Sequence, residues 1–152
     1  MKFRPHISLD VTNLDASIRF YSAVFGIEPT KRRDDYANFR SLEPPLHLAL
    51  VSHPHHQRNS SPNQHFGIEL FEDSQLNVWR EQVVSAGLIP RIEESVTCCY
   101  AVADKFWLQD PDGNEWEFWV HKDEADSMHG EEAVCCVPES QVLEPAKTAC
   151  CS

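Results

Sequence analysis

The sequence predicts an α+β fold: two βαβββ modules closing one cup-shaped mixed β-sheet, with the helices outside. Three observations predict it. The order strand, helix, three strands occurs twice. A turn-rich segment, residues 53–63, separates the two occurrences. A histidine stands at the matching place in the first strand of each, His6 and His65. A chain of 152 residues is long enough for one domain with a real core. The expected division is a domain over 1–120, with module 1 over about 3–52, the linker over 53–63 and module 2 over about 64–120. Residues 121–152 then form an acidic, cysteine-rich flexible tail.

Each element has its own signal. Residues 6–11, His-Ile-Ser-Leu-Asp-Val, alternate polar and apolar, as a half-buried strand does. A helix follows from about Asn13 to Phe25. Asn13 suits its N-cap, Leu14, Ile18, Tyr21 and Phe25 share one face, and Gly26 suits the position after its end. Short strands are expected over 28–32, 36–41 and 46–52. The linker His-Pro-His-His-Gln-Arg-Asn-Ser-Ser-Pro-Asn is built from turn formers. The second module begins with His65 to Leu70, alternating like the first strand. Leu76, Trp79, Val83 and Ala86 give a helical stripe that Gly87 closes. Strands are expected over 88–93, 100–108 and 114–120, with Asp110-Pro111-Asp112-Gly113 as the turn before the last. Beyond residue 120 hydrophobic periodicity stops.

Formal net charge is −11, and the tail sets seven acids against Lys122 and Lys147. Such a balance argues against nucleic acid or an anionic membrane surface as partner. No stretch approaches the ~20 apolar residues of a membrane span. The start, Met-Lys-Phe-Arg-Pro-His, has no apolar export core, and six cysteines without one imply free thiols in a reducing cytoplasm.

All six cysteines occur as adjacent pairs: Cys98-Cys99, Cys135-Cys136 and Cys150-Cys151. Neighbouring Cα atoms lie about 3.8 Å apart, shorter than disulfide geometry normally accepts. Cys98-Cys99 therefore reads as two thiols facing one soft target, such as arsenic, cadmium or copper(I). Strand alternation locates a second group. His6, Ser8 and Asp10 share one face of the first strand. His65, Gly67 and Glu69 share one face of the fifth, and Glu115, Glu117 and Trp119 one face of the eighth. If the apolar faces meet helices, His6, His65 and Glu117 point into a common cup. Two imidazoles and a carboxylate form the facial triad of non-haem Fe(II) oxygenases; the same donors also suit Zn²⁺, Mn²⁺ or Ni²⁺. His47 shares the cleft-facing phase of its strand and is a candidate fourth ligand. His53, His55 and His56 read as a solvated loop.

His6, the run from Leu14-Asp15-Ala16-Ser17 through Phe20-Tyr21 to Phe25-Gly26, His65, and Asp110-Pro111-Asp112-Gly113 with Glu117 resemble the vicinal-oxygen-chelate superfamily of glyoxalases and extradiol dioxygenases. The likeness covers residues 3–120. A narrower resemblance, to the organoarsenical carbon–arsenic lyases and the cadmium-induced proteins, is carried by Glu28 to Arg33, Tyr36 to Phe39, Thr97-Cys98-Cys99-Tyr100-Ala101-Val102 and Asp104-Lys105. It implies a cytoplasmic non-haem Fe(II)-dependent dioxygenase, monomer or homodimer. Fe(2+) would sit on His6, His65 and Glu117, and Cys98 and Cys99 would bind the arsenic of a trivalent organoarsenical. O₂ would be the co-substrate, with arsenite and formaldehyde as products of methylarsenite. It requires no fourth protein ligand, which would close a site that O₂ needs open. The competing expectations are a thiol-based arsenic or cadmium sequestering protein without turnover, and another metalloenzyme of the same fold.

Overall fold

The computed structural model describes residues 3–56 and 64–129. The element order is β1 (His6–Val11), α1 (Leu14–Phe25), β2 (Lys31–Arg32), β3 (Tyr36–Leu42), β4 (Pro45–Ser52), β5 (Phe66–Leu70), α2 (Asp73–Ser85), β6 (Arg91–Cys98), β7 (Ala101–Gln109) and β8 (Glu115–Glu124). The twice-repeated βαβββ order is therefore present, and the fold is α+β. Hydrogen bonds group the strands as two four-stranded mixed sheets, ordered β1-β4-β3-β2 and β5-β8-β7-β6. In each sheet the first strand lies parallel to the last, and the other pairings are antiparallel.

Local chemistry sets α1. The Asn13 side chain accepts from the Ala16 N–H at 3.0 Å, and Gly26 ends the helix with φ 65°. Its Ile18, Tyr21, Val24 and Phe25 are buried. Helix α2 is less self-sufficient: Glu72 makes no side-chain cap bond, and only Leu76 and Val83 are buried. Module 1 holds it instead. Trp79 Nε1 and Gln82 Nε2 both donate to the Val24 carbonyl, at 2.6 and 3.0 Å. That carbonyl lies in the last turn of α1, where the helix itself supplies no partner.

The core crosses both modules. Tyr21 and Phe25 of α1 pack edge-on against Trp116 of β8, with ring centroids 5.8 and 6.0 Å away. Phe118 is fully buried and stacks on Phe106 at 4.8 Å. Burial of a ring such as Phe118 contributes about 1.5–3 kcal/mol.

Three elements differ from the sequence expectation. β6 starts at Arg91 and runs on to Cys98, where a strand ending at Glu93 was expected. β2 shrinks to two residues. β8 continues past Val120 to Glu124, because Asp123 and Glu124 still pair with Val102 and Ala101. Backbone pairing needs no apolar alternation, so the last turn of pattern understated the strand. Residues 57–63 of the linker and 130–152 of the tail lie outside the described residues. Among the described residues, no helix is long and apolar enough to cross a membrane.

Candidate functional site

The Asp-Pro-Asp-Gly turn is a fastener between modules. Asp110 is buried; its Oδ1 accepts from the Asp112 and Asn114 N–H groups at 2.9 and 2.7 Å. Its Oδ2 accepts from the Tyr21 hydroxyl at 2.6 Å and from Asn114 Nδ2 at 2.8 Å. Trp116 Nε1 donates to the same hydroxyl at 3.1 Å. Burial, then the Asp110 charge, raises the Tyr21 pKa well above the ordinary tyrosine value, so it stays a donor. Asp112 Oδ1 accepts from the N–H of Thr12 at 3.0 Å and from its hydroxyl, and Ser17 reaches Oδ2 at 3.4 Å. Thr12 and Ser17 flank the start of α1, so this turn aligns one module on the other.

On the second sheet, register gathers a row of polar groups. Glu93 pairs with Lys105, Arg91 and Glu117 pair with Trp107, and Gly67 pairs with Glu117. Paired residues share a face, so Glu93, Lys105, Trp107 and Glu117 line one surface, joined by His65 two positions before Gly67. His65 Nε2 lies 3.3 Å from Glu117 Oε2, and Lys105 Nζ donates to Glu117 Oε1 at 3.0 Å. Lys105 is 4 % exposed. Burial pulls its pKa down, but the hydrogen bond and charge of Glu117, followed by Cys98 and Glu93, carry it above the ordinary lysine value. Trp107 meets the His65 ring edge-on at 5.1 Å, with Arg91 over its own ring at 5.0 Å.

Cys98 reaches this surface because β6 is bulged. Plain alternation would put residues 93 and 98 on opposite faces. The register shifts between Glu93 and Val96, so that Val96 faces Ala103 and Cys98 faces Ala101. Ala101, Ala103, Lys105 and Trp107 follow one phase of β7, which puts Cys98 on the Lys105 face. A bulge is the usual device for re-aiming a side chain beside a site. Here Ser95 takes φ 52°, and its N–H donates to Asp104 Oδ1 at 2.7 Å. That bond, and then Lys122, lower the Asp104 pKa against the opposing effect of burial.

The hairpin that follows is tight. Cys99 and Tyr100 are its two turn residues, with φ 56° and 65°. Two positive φ values are the sign pattern of a type I′ turn, which normally demands Asn or Gly. Neighbouring backbone holds the strained pair: Cys99 N–H donates to the Met128 carbonyl and Ala125 N–H to the Tyr100 carbonyl, both at 2.8 Å. Cys98 is buried, Cys99 is exposed, and neither is in a disulfide. Their sulfurs lie 3.5 Å apart, far beyond a bond of ~2.05 Å. Two sulfur bonds of about 2.3 Å to one shared atom would subtend roughly 100°, an angle natural to a pyramidal trivalent centre. Cys135, Cys136, Cys150 and Cys151 lie outside the described residues.

The structure thus brings His65 and Glu117 together and sets Cys98 on their face. His6 stands with His47 instead: the strands pair these residues directly, and their Nδ1 atoms are 3.0 Å apart. Burial, then His6, Arg40 and Arg4, lower the His47 pKa, keeping that ring neutral. Among the described residues, no group of three or more His, Cys, Asp or Glu converges as a metal cluster. The donors nevertheless suit a divalent metal. Bonds of about 2.1 Å from His65 Nε2 and Glu117 Oε2 would meet at roughly 105°, and each module contributes an imidazole.

Sequence reasoning missed Lys105 and Trp107 as members of the site. A signal existed: Ala101, Ala103, Lys105 and Trp107 recur at period two, and a lysine on a phase otherwise fit for burial calls for a partner.

The glyoxalase/bleomycin resistance protein/dioxygenase superfamily model matches residues 4–118. The chain is 39% identical over 148 residues to the trivalent organoarsenical cleaving enzyme of Bacillus sp. strain MD1, covering 97% of this chain and 89% of that one. It is 38% identical over 136 residues to the Thermomonospora curvata protein of the same name, covering 89% of each. It is 34% identical over 146 residues to the cadmium-induced protein CadI of Mycobacterium bovis, covering 88% of this chain and 92% of that one. A glyoxalase/bleomycin resistance protein/dioxygenase from Alicyclobacillus acidocaldarius superposes with a TM-score of 0.67 at 19% identity, over 80% of this chain and 92% of that one.

Proposed function

Because the chain belongs to the glyoxalase/bleomycin resistance protein/dioxygenase superfamily, we propose that it is a non-haem Fe(II)-dependent dioxygenase that cleaves the carbon–arsenic bond of trivalent organoarsenicals such as methylarsenite. One observation carries the reading. Two cysteine sulfurs 3.5 Å apart, not joined in a disulfide, stand at the end of the face that holds His65 and Glu117, in a chain similar to relatives named for cleaving such compounds.

The chain's residues divide the work. Cys98 and Cys99 capture the substrate: two As–S bonds form, two As–O bonds break, and the thiol protons leave with the hydroxyls as two waters. Thiolates are the attacking species, and the Lys105 ammonium favours the charged form of Cys98 while hydrogen-bonding Glu117. Holding the arsenic-bound carbon beside the metal site replaces a chance encounter with a positioned one. His6, His65 and Glu117 would hold the iron, whose chemistry when bound is activation of O₂ for oxidation of the organic group. The overall reaction balances: methylarsenite and O₂ contain the atoms of arsenite and formaldehyde. The enzyme would work as a cytoplasmic monomer or homodimer; the domain expected over 1–120 extends through β8 and the contacts of Ala125 and Met128 with the hairpin, and Cys135, Cys136, Cys150 and Cys151 beyond it would gather arsenic at low concentration.

Anaerobic Fe(II) loading, followed by O₂ and methylarsenite with arsenic speciation, tests the reading. Arsenite should accumulate over many turnovers and consume O₂ one for one. A second reading, sequestration of arsenic or cadmium by thiols, is favoured by the likeness to CadI and by the three cysteine pairs. It predicts stoichiometric binding without product, whether or not iron is present.

A further inference from the structure

We propose that His47 is a positioning residue of the metal site: it accepts a hydrogen bond from His6 Nδ1 and thereby commits His6 to bind metal through Nε2. The inference rests on the assignment of His6 as a ligand under the proposed function.

The geometry is specific. β1 and β4 run parallel, and His6 pairs with His47 in register, so both side chains leave the same face. Their Nδ1 atoms are 3.0 Å apart and their rings meet edge to face at 4.3 Å. Two Nδ1 atoms at that distance share one proton. Without a metal, either ring can carry it. A metal on His6 Nε2 removes that choice, since the neutral ring then keeps its proton on Nδ1 and must donate it. Metal-ligating histidines nearly always donate their second nitrogen in this way, which fixes both tautomer and ring orientation. His47 can fill the acceptor role because its Nδ1 stands directly opposite His6 Nδ1. Its Nε2 is buried and meets no polar partner among the described residues. The contact with His6 is therefore the one polar bond shown for this ring. The same arrangement explains why His47 need not be a fourth ligand although it shares the cleft-facing phase: its Nδ1 is spent on His6, and its Nε2 is enclosed.

The test is anaerobic Fe(II) titration, with Co(II) as a spectroscopic check, of the full chain and of His6→Ala, His47→Leu and His47→Asn. Asparagine places its Oδ1 about where His47 Nδ1 stands. His47→Leu should weaken metal binding about 10–100-fold. His47→Asn should recover to within roughly threefold, a rescue expected of an acceptor. Nitrogen-15 spectra of the Zn²⁺-loaded protein should show His6 protonated at Nδ1. Unchanged affinity in His47→Leu, or His47→Asn binding as weakly as His47→Leu, overturns the inference while leaving the metal site standing. Should His47→Leu fail to fold, the His47→Asn affinity and the His6 spectrum still decide. Unchanged affinity in His6→Ala is the different result that removes His6 from the site, and the inference with it.

Discussion

The two modules share one topology and divide the chemistry unequally. Both order their strands first-fourth-third-second, and both lay the first strand parallel to the last. In module 2, Gly67 pairs with Glu117; at the corresponding rung of module 1, two residues after the histidine, Ser8 pairs with Ala49. The carboxylate is therefore present once. Module 1 packs densely, with Val11, Tyr21, Val24, Ala37, Leu48 and Leu50 wholly buried. Module 2 carries a buried lysine, a bulge and a strained hairpin, features that cost stability and persist where surrounding structure enforces them. A duplicated fold can thus place the carboxylate and the thiol pair on one copy while the other offers an imidazole. Ala49 leaves that rung of module 1 without a matching carboxylate.

The largest test of that asymmetry is at the loaded end. The double change Cys98→Ser, Cys99→Ser should lower arsenite release by at least ~100-fold while Fe(II) binding persists; full arsenic release by this variant would mean that the doublet is packing. Glu117→Ala should abolish stoichiometric Fe(II) binding and turnover together, measured by anaerobic titration. Unchanged affinity there would leave the two modules chemically equivalent.

The seam between modules comes next. Tyr21→Phe leaves the ring in place but strips Asp110 and Trp116 of a partner, which should cost about 1–3 kcal/mol, read as a lower midpoint in urea. A smaller effect is expected at the bulge. Asp104→Ala should weaken methylarsenite capture, about tenfold in KM, with Fe(II) affinity unchanged, because only the aim of Cys98 is lost. The pH dependence has a definite sign. Asp104 has a depressed folded pKa, so its contribution is present above the ordinary aspartate value and is lost as pH falls through the lower folded value. Acid should therefore loosen the bulge only below the usual carboxylate range, seen as loss of amide-exchange protection at Ser95. Truncation after His129 should leave turnover intact. Truncation after Val120 should not, since Ala125 and Met128 hold the hairpin.

Much of this was legible in the residues. Asn13 and Gly26 bound α1 as expected, the repeat gave the fold class, and alternation placed Glu117 opposite the buried Trp116 and Phe118. The rest was hidden for identifiable reasons. Alternation assigns a face but not a register, so Lys105 against Glu117 and His6 against His47 could not be read from either strand alone. Ser95, Cys99 and Tyr100 adopt positive φ without being glycine or asparagine, so neither the bulge nor the hairpin turn announced itself. With the bulge unseen, β6 ended too early and Cys98 was left without a strand to aim it.

The seam has a consequence for how the chain can be divided. Thr12, Ser17 and Tyr21 meet Asp110 and Asp112, and Trp79 and Gln82 meet Val24. None of these contacts depends on the peptide connection through residues 57–63. Two polypeptides divided in that stretch carry complementary surfaces: an apolar helix end that needs donors, and a buried aspartate pair that needs hydroxyls. Co-expressed, they should find each other and rebuild the native protein as a non-covalent pair. Each expressed alone should be insoluble or unfolded, the behaviour of a split reporter whose signal depends on reunion.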